Sequence, residues 1–338
     1  MSKRKLTKQQ AWRVEKIQAE RRQRANRSAA QAEDLEGADL GPEQEGLVIT
    51  RYGASADIES QDGTVARCYL RQNLGGLVTG DRVAWRAAPD GSGVVVAIHE
   101  RQSLLSRPDQ YQGLKPVAAN IDRIIIVVAA VPALSEPLLD RYLVAAETVG
   151  IPPLILLNKT DLLSPEELAA VNARLDLYRN IGYPVHTLSA RRGEGLAELE
   201  TLLAGQCSIF VGQSGVGKSS LVNALHPESV ARVGELNELR GEGRHTTTAS
   251  VLYHFPHGGD LIDSPGIREF GLWHISEDEL AHGFREFRDV LGTCRFRNCD
   301  HEAEPGCALR AAANAGIITP SRLASYYKIR ESLRELAR

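Results

Sequence analysis

Two short stretches of this 338-residue chain carry residue types suited to holding a nucleotide. Gly212-Gln213-Ser214-Gly215-Val216-Gly217-Lys218-Ser219 fits the pattern GxxxxGK[ST], and Ser220 continues it. Glycines in such a loop let backbone N–H groups turn inward onto phosphate oxygens, at a helix N-terminus that already favours negative charge. Lys218 is placed to reach the β- and γ-phosphates, and the Ser219 hydroxyl to ligate Mg²⁺. A phosphate loop serves ATP and GTP alike, so the base must be read elsewhere. Asn158-Lys159-Thr160-Asp161 offers that reading. A carboxylate at Asp161 accepts from guanine N1–H and the N2 amine together, a donor pair that adenine lacks. Asn158 would meet the O6/N7 edge and the Lys159 stem would cover the ring face. Ser189-Ala190 can offer a backbone N–H to O6. Asp161 thus opposes the alternative of an ATPase or kinase.

Asp263-Ser264-Pro265-Gly266 supplies a third element. An aspartate at a strand end can hold Mg²⁺ through water, and the Gly266 N–H can meet the γ-phosphate. Between it and the phosphate loop lies GEGRHTTTAS, in which one of Thr246, Thr247 or Thr248 can add a hydroxyl to the Mg²⁺ set of Ser219 and Asp263. Thr247 is the favoured choice. The residue after Gly266 is Ile267, which cannot position an attacking water as glutamine does in Ras-like enzymes.

These elements run in the order guanine loop, Ser-Ala, phosphate loop, Thr segment, Asp-x-x-Gly. The usual order begins at the phosphate loop and ends at Ser-Ala. Each is a cyclic permutation of the other, which marks the domain as a circularly permuted GTPase.

The positioning elements read as alternating strands and helices. IDRIIIVVAA and PPLILLN are apolar strands, with the amphipathic PLLDRYLVAAETVG between them. Ser164 opens the next helix with Glu167 three residues on, a capping box. PVHTLSA, GLAELETLLAG, CSIFVG and GKSSLVNALH continue the alternation, which builds a parallel sheet covered on both faces.

Near the C-terminus, Cys294, Cys299, His301 and Cys307 fall within fourteen residues. Three thiolates and one imidazole suit a closed tetrahedral Zn²⁺ site of structural role. Cys68 and Cys207 lie in expected strands and read as core residues. Residues 47–107 form short runs rich in β-branched and aromatic residues with Gly/Asp turns between them, the texture of a small barrel such as an OB-fold. Residues 28–46 suit a linker. Residues 1–27 carry ten Lys and Arg against Glu15 and Glu20, whereas the remaining 311 residues hold 30 basic and 41 acidic side chains. A basic arm on an acidic body is a footprint of nucleic-acid binding. The longest apolar run, IIIVVAAVPAL, is too short to span a bilayer, and the N-terminus lacks the apolar centre of a signal peptide. The expectation is a cytoplasmic protein with no membrane partner.

Taken together, NKTD, GQSGVGKSS, GRHTTT, DSPG and the Cys-Cys-His-Cys segment, behind a β-barrel and a basic tail, resemble the ribosome small-subunit-dependent GTPase A family (RsgA, also called YjeQ). The resemblance covers nearly the whole chain. It implies an OB-fold, the 30S ribosomal subunit and its 16S rRNA as partners, a late role in maturation of that subunit, and GTP hydrolysis to GDP stimulated by it. It also matches His245 to the family's switch histidine, which makes His245 the candidate for orienting water; contact with RNA or solvent is the alternative. A monomer is expected. A second reading is an rRNA-binding assembly chaperone whose nucleotide is mainly regulatory. The expected layout is a basic tail and linker at 1–46, an OB-fold at 47–107, the permuted GTPase domain at 108–275 and a helical zinc-binding domain at 276–338. γ-Phosphate loss is expected to reach the zinc segment through the short connection from Asp263 to Cys294.

Overall fold

The structure is a computed structural model that describes residues 40–71, 74–108, 114–226, 250–263 and 275–336. The basic tail, His245, Thr246, Thr247, Thr248, Gly266 and Ile267 lie outside the described residues. Two compact units are present. One runs to Arg101 and takes in Val251 and Leu252; the other comprises the rest.

The first unit is a closed five-stranded barrel. Its strands are β1 (Glu43–Tyr52), β2 (Ser55–Ser60), β3 (Val65–Leu70), β4 (Arg82–Ala87) and β5 (Gly93–Ile98). β1 pairs with both β2 and β4, β2 with β3, β3 in parallel with β5, and β5 with β4. That closed order fits the expected OB-fold. Val48, Ile58, Cys68, Leu77, Trp85 and Val95 fill the interior, where burial pushes the Cys68 thiol up to about 12. The barrel starts earlier than its composition suggests. Glu43–Gly46, expected as linker, are the paired start of β1. Gly46 is there for packing rather than flexibility: a Cβ would meet Ile58 Cγ2 at 2.3 Å and Trp85 Cδ1 at 2.9 Å.

The second unit opens with a hairpin, β6 (Leu104–Pro108) and β7 (Leu114–Ala119). It continues as β8 (Arg123–Ala129), α1 (Glu136–Thr148), β9 (Pro153–Asn158), α2 (Pro165–Asn180), β10 (Val185–Thr187), α3 (Leu196–Leu203), β11 (Cys207–Val211) and α4 (Lys218–Leu225). β12 (Val251–His254), whose first two residues belong to the first unit, and β13 (Asp260–Asp263) follow. The strands run β10-β9-β8-β11-β13-β12, with β10 through β13 in parallel register. β8 and β9 are apolar and buried almost throughout because helices cover both faces of the sheet. Each fully buried Ile or Leu there contributes about 1.5–3 kcal/mol. The Ser164–Glu167 capping box forms as the sequence indicates.

The chain ends in α5 (Glu277–His282), a 3₁₀ turn at Arg285–Phe287, α6 (Ala308–Asn314) and α7 (Pro320–Leu336). This segment, expected as a separate domain, packs into the same compact unit as the parallel sheet. Phe284 and Phe287 stack at 4.7 Å, and Tyr326 meets both rings edge-on. Beside them, buried Arg322 on α7 pairs with Asp140 on α1 at 2.5 Å and with Glu286 at 2.6 Å. Tyr178 of α2 donates to the same Asp140 carboxylate at 2.7 Å. Among the described residues, no helix is long and apolar enough to cross a membrane.

Candidate nucleotide site and metal loop

In the parallel sheet the connections run outward from the neighbours β8 and β11: through β9 and β10 on one side, through β13 on the other. Such a switch point opens a crevice at the carboxyl ends of the strands, where α/β sheets bind ligands. The sequence places its nucleotide motifs at those ends. Gly212 follows β11, Asn158 closes β9, Ser189 and Ala190 follow β10, and Asp263 closes β13.

The phosphate loop is built for close approach. Gly212 has φ +138°, and a Cβ there would meet Val127 O at 2.3 Å. Gly217 has φ +99°, and a Cβ would meet Asn158 Nδ2 at 2.4 Å. Val216 is buried, while Gln213, Ser214, Gly215, Ser219 and Ser220 face outward at the start of α4. The Lys218 ammonium donates to Gly212 O at 2.5 Å and Gln213 O at 2.8 Å, which keeps it at the loop mouth.

The guanine loop is tied directly to this one. Asn158 is buried; its Nδ2 donates to Val216 O at 3.0 Å, and its Oδ1 accepts from Lys159 N at 2.7 Å and Ala190 N at 3.1 Å. Lys159 sits at φ +64° and sends Nζ to Gly215 O at 2.6 Å and Val131 O at 2.8 Å. Asn158 and Lys159 therefore fasten three loops together, a role that their types alone do not reveal. Of the Ser189-Ala190 N–H groups, one of them expected at O6, Ala190 N donates to Asn158 Oδ1 at 3.1 Å and Ser189 N to Glu194 O at 2.9 Å. Thr160 and Asp161 form a 3₁₀ turn, and Thr160 N donates to Leu188 O at 3.3 Å. Asp161 Oδ1 accepts from Ser189 Oγ at 2.6 Å. That bond, with lesser help from Arg192 and Arg191, holds the Asp161 carboxyl below its ordinary range. An ionised, acceptor-only group thus faces outward beside the phosphate loop, the requirement for reading the guanine N1–H and N2 amine.

The second constellation is the metal loop. The ligand atoms of Cys294, Cys299, His301 and Cys307 all lie within 4.8 Å of one another. A tetrahedron with Zn–S bonds has edges of about 3.8 Å, so small adjustments close the site. Burial and the neighbouring Cys294 and Cys307 thiols push the Cys299 thiol up to about 12, a cost that a bound cation would offset by stabilising the thiolate. Burial and Arg330 lower the His301 pKa, favouring the neutral imidazole that ligates metal. The Ala308 N–H donates to Cys294 Sγ at 3.3 Å. The donor set fits zinc, which would supply a structural clamp.

The loop is carried by α7, whose part in this the sequence reading missed. Tyr327 donates to His301 O, and Arg330 donates to Asp300 O and pairs with Glu302. Arg334 reaches Glu302 at 3.1 Å and Glu277 at 2.6 Å. The available signal was Tyr327, Arg330 and Arg334 at helical spacing.

Comparison with known proteins agrees with this geometry. The family model described as RsgA GTPase matches residues 98–273. Small ribosomal subunit biogenesis GTPase RsgA of Pseudomonas aeruginosa is 56% identical over 336 residues, with 99% of each chain covered. The Azotobacter vinelandii protein of the same name is 56% identical over 340 residues, again with 99% of each covered. Among solved structures, YjeQ from Thermotoga maritima is 34% identical, with a TM-score of 0.71 over 86% of this chain and 99% of that one. YloQ, described as a circularly permuted GTPase, is 31% identical, with a TM-score of 0.69 over 87% and 96%. The chain belongs to the RsgA GTPase family and is an enzyme of GTP hydrolysis.

Proposed function

We propose that the chain is a GTPase that binds the 30S ribosomal subunit and assists its late maturation, with hydrolysis stimulated by the subunit and coupled to release. The carrying observation is the convergence of Asn158, Asp161, Ser189 and the phosphate loop at the carboxyl ends of the parallel strands despite their permuted order. Relatives that match over 99% of the chain are named as small ribosomal subunit biogenesis GTPases. Asp161 selects guanine. The loop 212–219 and Lys218 hold the phosphates, and Ser219, Asp263 and one of Thr246, Thr247 and Thr248, with Thr247 favoured, hold Mg²⁺. Gly266 meets the γ-phosphate, and His245 takes the water-orienting role that Ile267 cannot fill. The tail at 1–27, the barrel and the metal loop meet 16S rRNA. The protein works in the cytoplasm as a monomer.

Single-turnover GTP hydrolysis with and without purified 30S subunits tests this reading. Acceleration by the subunit is expected, and the His245→Ala variant should lose it. Equal rates would instead favour an assembly chaperone whose nucleotide is regulatory.

A further inference from the structure

The metal loop presents a short surface that nucleotide chemistry does not use. Between the ligands Cys294 and Cys299 the chain reads Arg295-Phe296-Arg297-Asn298, and all four residues are exposed. Phe296 keeps 42% of its surface in solvent. The Arg295 guanidinium lies 5.5 Å from its ring centroid. This span is short and pinned at both ends by metal-ligating residues. Arg295 N also donates to Gly306 O at 3.0 Å. Gly306, at φ +79°, leaves the room this needs, since a Cβ there would lie 2.9 Å from Arg295 Cβ. An aromatic ring is therefore displayed from a fixed position.

Charge is segregated around it. Glu302 is paired with Arg330 and Arg334, and Glu304 accepts from the Asp300 and Ala303 amides. Asp300 is the loop carboxylate left without such a partner among the described residues. Arg295 and Arg297, with Arg310 on α6, make no ion pair among the described residues. A protein groove would call for a broader apolar patch; a single exposed ring with an arginine on either side in sequence, one of them beside the ring, suits a nucleic acid.

We propose that Arg295, Phe296 and Arg297 form an RNA contact in which the Phe296 ring stacks on an unpaired base and the flanking arginines meet neighbouring phosphates. This contact rests on the proposed binding of the 30S subunit, whose RNA supplies the base. Stacking of this kind tolerates any base identity, because every base has a π-face.

The test is equilibrium binding of the full chain to purified 30S subunits with a non-hydrolysable GTP analogue at fixed salt. Phe296→Ala should weaken binding by about tenfold, and Phe296→Trp should stay within about twofold of the wild type. Metal content and GTP affinity should not change. Benzoylphenylalanine placed at position 296 should crosslink to 16S rRNA on irradiation. Unchanged binding by Phe296→Ala, or crosslinks only to ribosomal proteins, would overturn the proposal. If Phe296→Ala loses its metal, the crosslink decides alone. A wild-type chain that fails to bind the subunit would bring down the parent reading, and this contact with it.

Discussion

The nucleotide site and the metal loop belong to one compact unit but are held in different ways. The nucleotide site sits on the ends of buried strands, and its loops are laced together by bonds from side chains to backbone. Asn158 reaches Val216 O, and Lys159 reaches Val131 O and Gly215 O. The core beneath them, including Ile125, Val127, Leu154 and Leu156, sets their positions. The metal loop has little core and no regular element between the 3₁₀ turn at Arg285–Phe287 and α6. Four candidate metal ligands and three side chains of α7 give it shape. A site built on a sheet tolerates the loss of one contact. A site built on a cation does not.

The largest expected effect is therefore at the metal. Chelation, or Cys299→Ser, should abolish stoichiometric zinc and with it a contribution on the order of 10 kcal/mol to local order. Hydrogen exchange across 294–307 should rise to that of an unfolded segment, while GTP affinity stays within about twofold. Unchanged protection of the loop would erase the contrast drawn here.

An intermediate effect is expected where the two regions meet. Arg322 and Asp140 are each 1% exposed in their side chains. Removing one partner of a buried pair strands the other, so Arg322→Met should cost about 3–5 kcal/mol in chemical denaturation. Replacing Asp140 and Glu286 by Leu in the same variant should recover part of that loss. If the single variant were no worse than the triple, the pair would not be the joint. The same contact offers a second link between the sites beside the expected one. α1 carries Asp140, and the loop just before it contributes Val131 O to Lys159, so the packed helices α1 and α7 link the nucleotide and metal regions independently of the chain from Asp263 to Cys294. Deletion of 276–338 would take Arg322 from Asp140 and leave it only Tyr178 as a buried hydrogen-bond donor outside that segment, which makes single substitutions the cleaner probe.

The smallest effect is a shift along the pH axis. Ser189 lowers the Asp161 pKa, so the carboxylate proposed to read guanine stays ionised as pH falls through the ordinary range. Affinity is lost only as pH passes below that lowered value. Ser189→Ala raises the Asp161 pKa back toward its ordinary value, so the loss should begin at higher pH, with a few-fold weaker GDP binding near the ordinary carboxylate pKa. Coincident pH profiles for the two proteins would show that Ser189 has no such part.

Much of the nucleotide site was legible because its motifs are local: a glycine-rich turn before a helix, a carboxylate after a buried strand. The second roles of Asn158 and Lys159 were not, because their partners at Val216 and Gly215 lie more than fifty residues away. The hairpin of β6 and β7 was missed where Pro116, a poor ladder residue, sits at a register shift. Glu43–Gly46 read as linker because polar residues and glycine mark loops. Only the packing of Ile58 and Trp85 shows that Gly46 must be small. Cys294, Cys299, His301 and Cys307 were legible by spacing, whereas the hold of α7 on their loop depended on tertiary docking.

The central claim is that a guanine loop preceding its phosphate loop still reads the base through Asp161. Asp161→Asn tests it directly. An amide keeps an acceptor for N1–H and turns a donor toward C2, which suits the C2 carbonyl of xanthine and opposes the guanine amine. Equilibrium binding should show GTP affinity falling by about 10- to 100-fold and XTP affinity rising above that for GTP. GTP affinity unchanged in the variant, with no gain for XTP, would contradict the account.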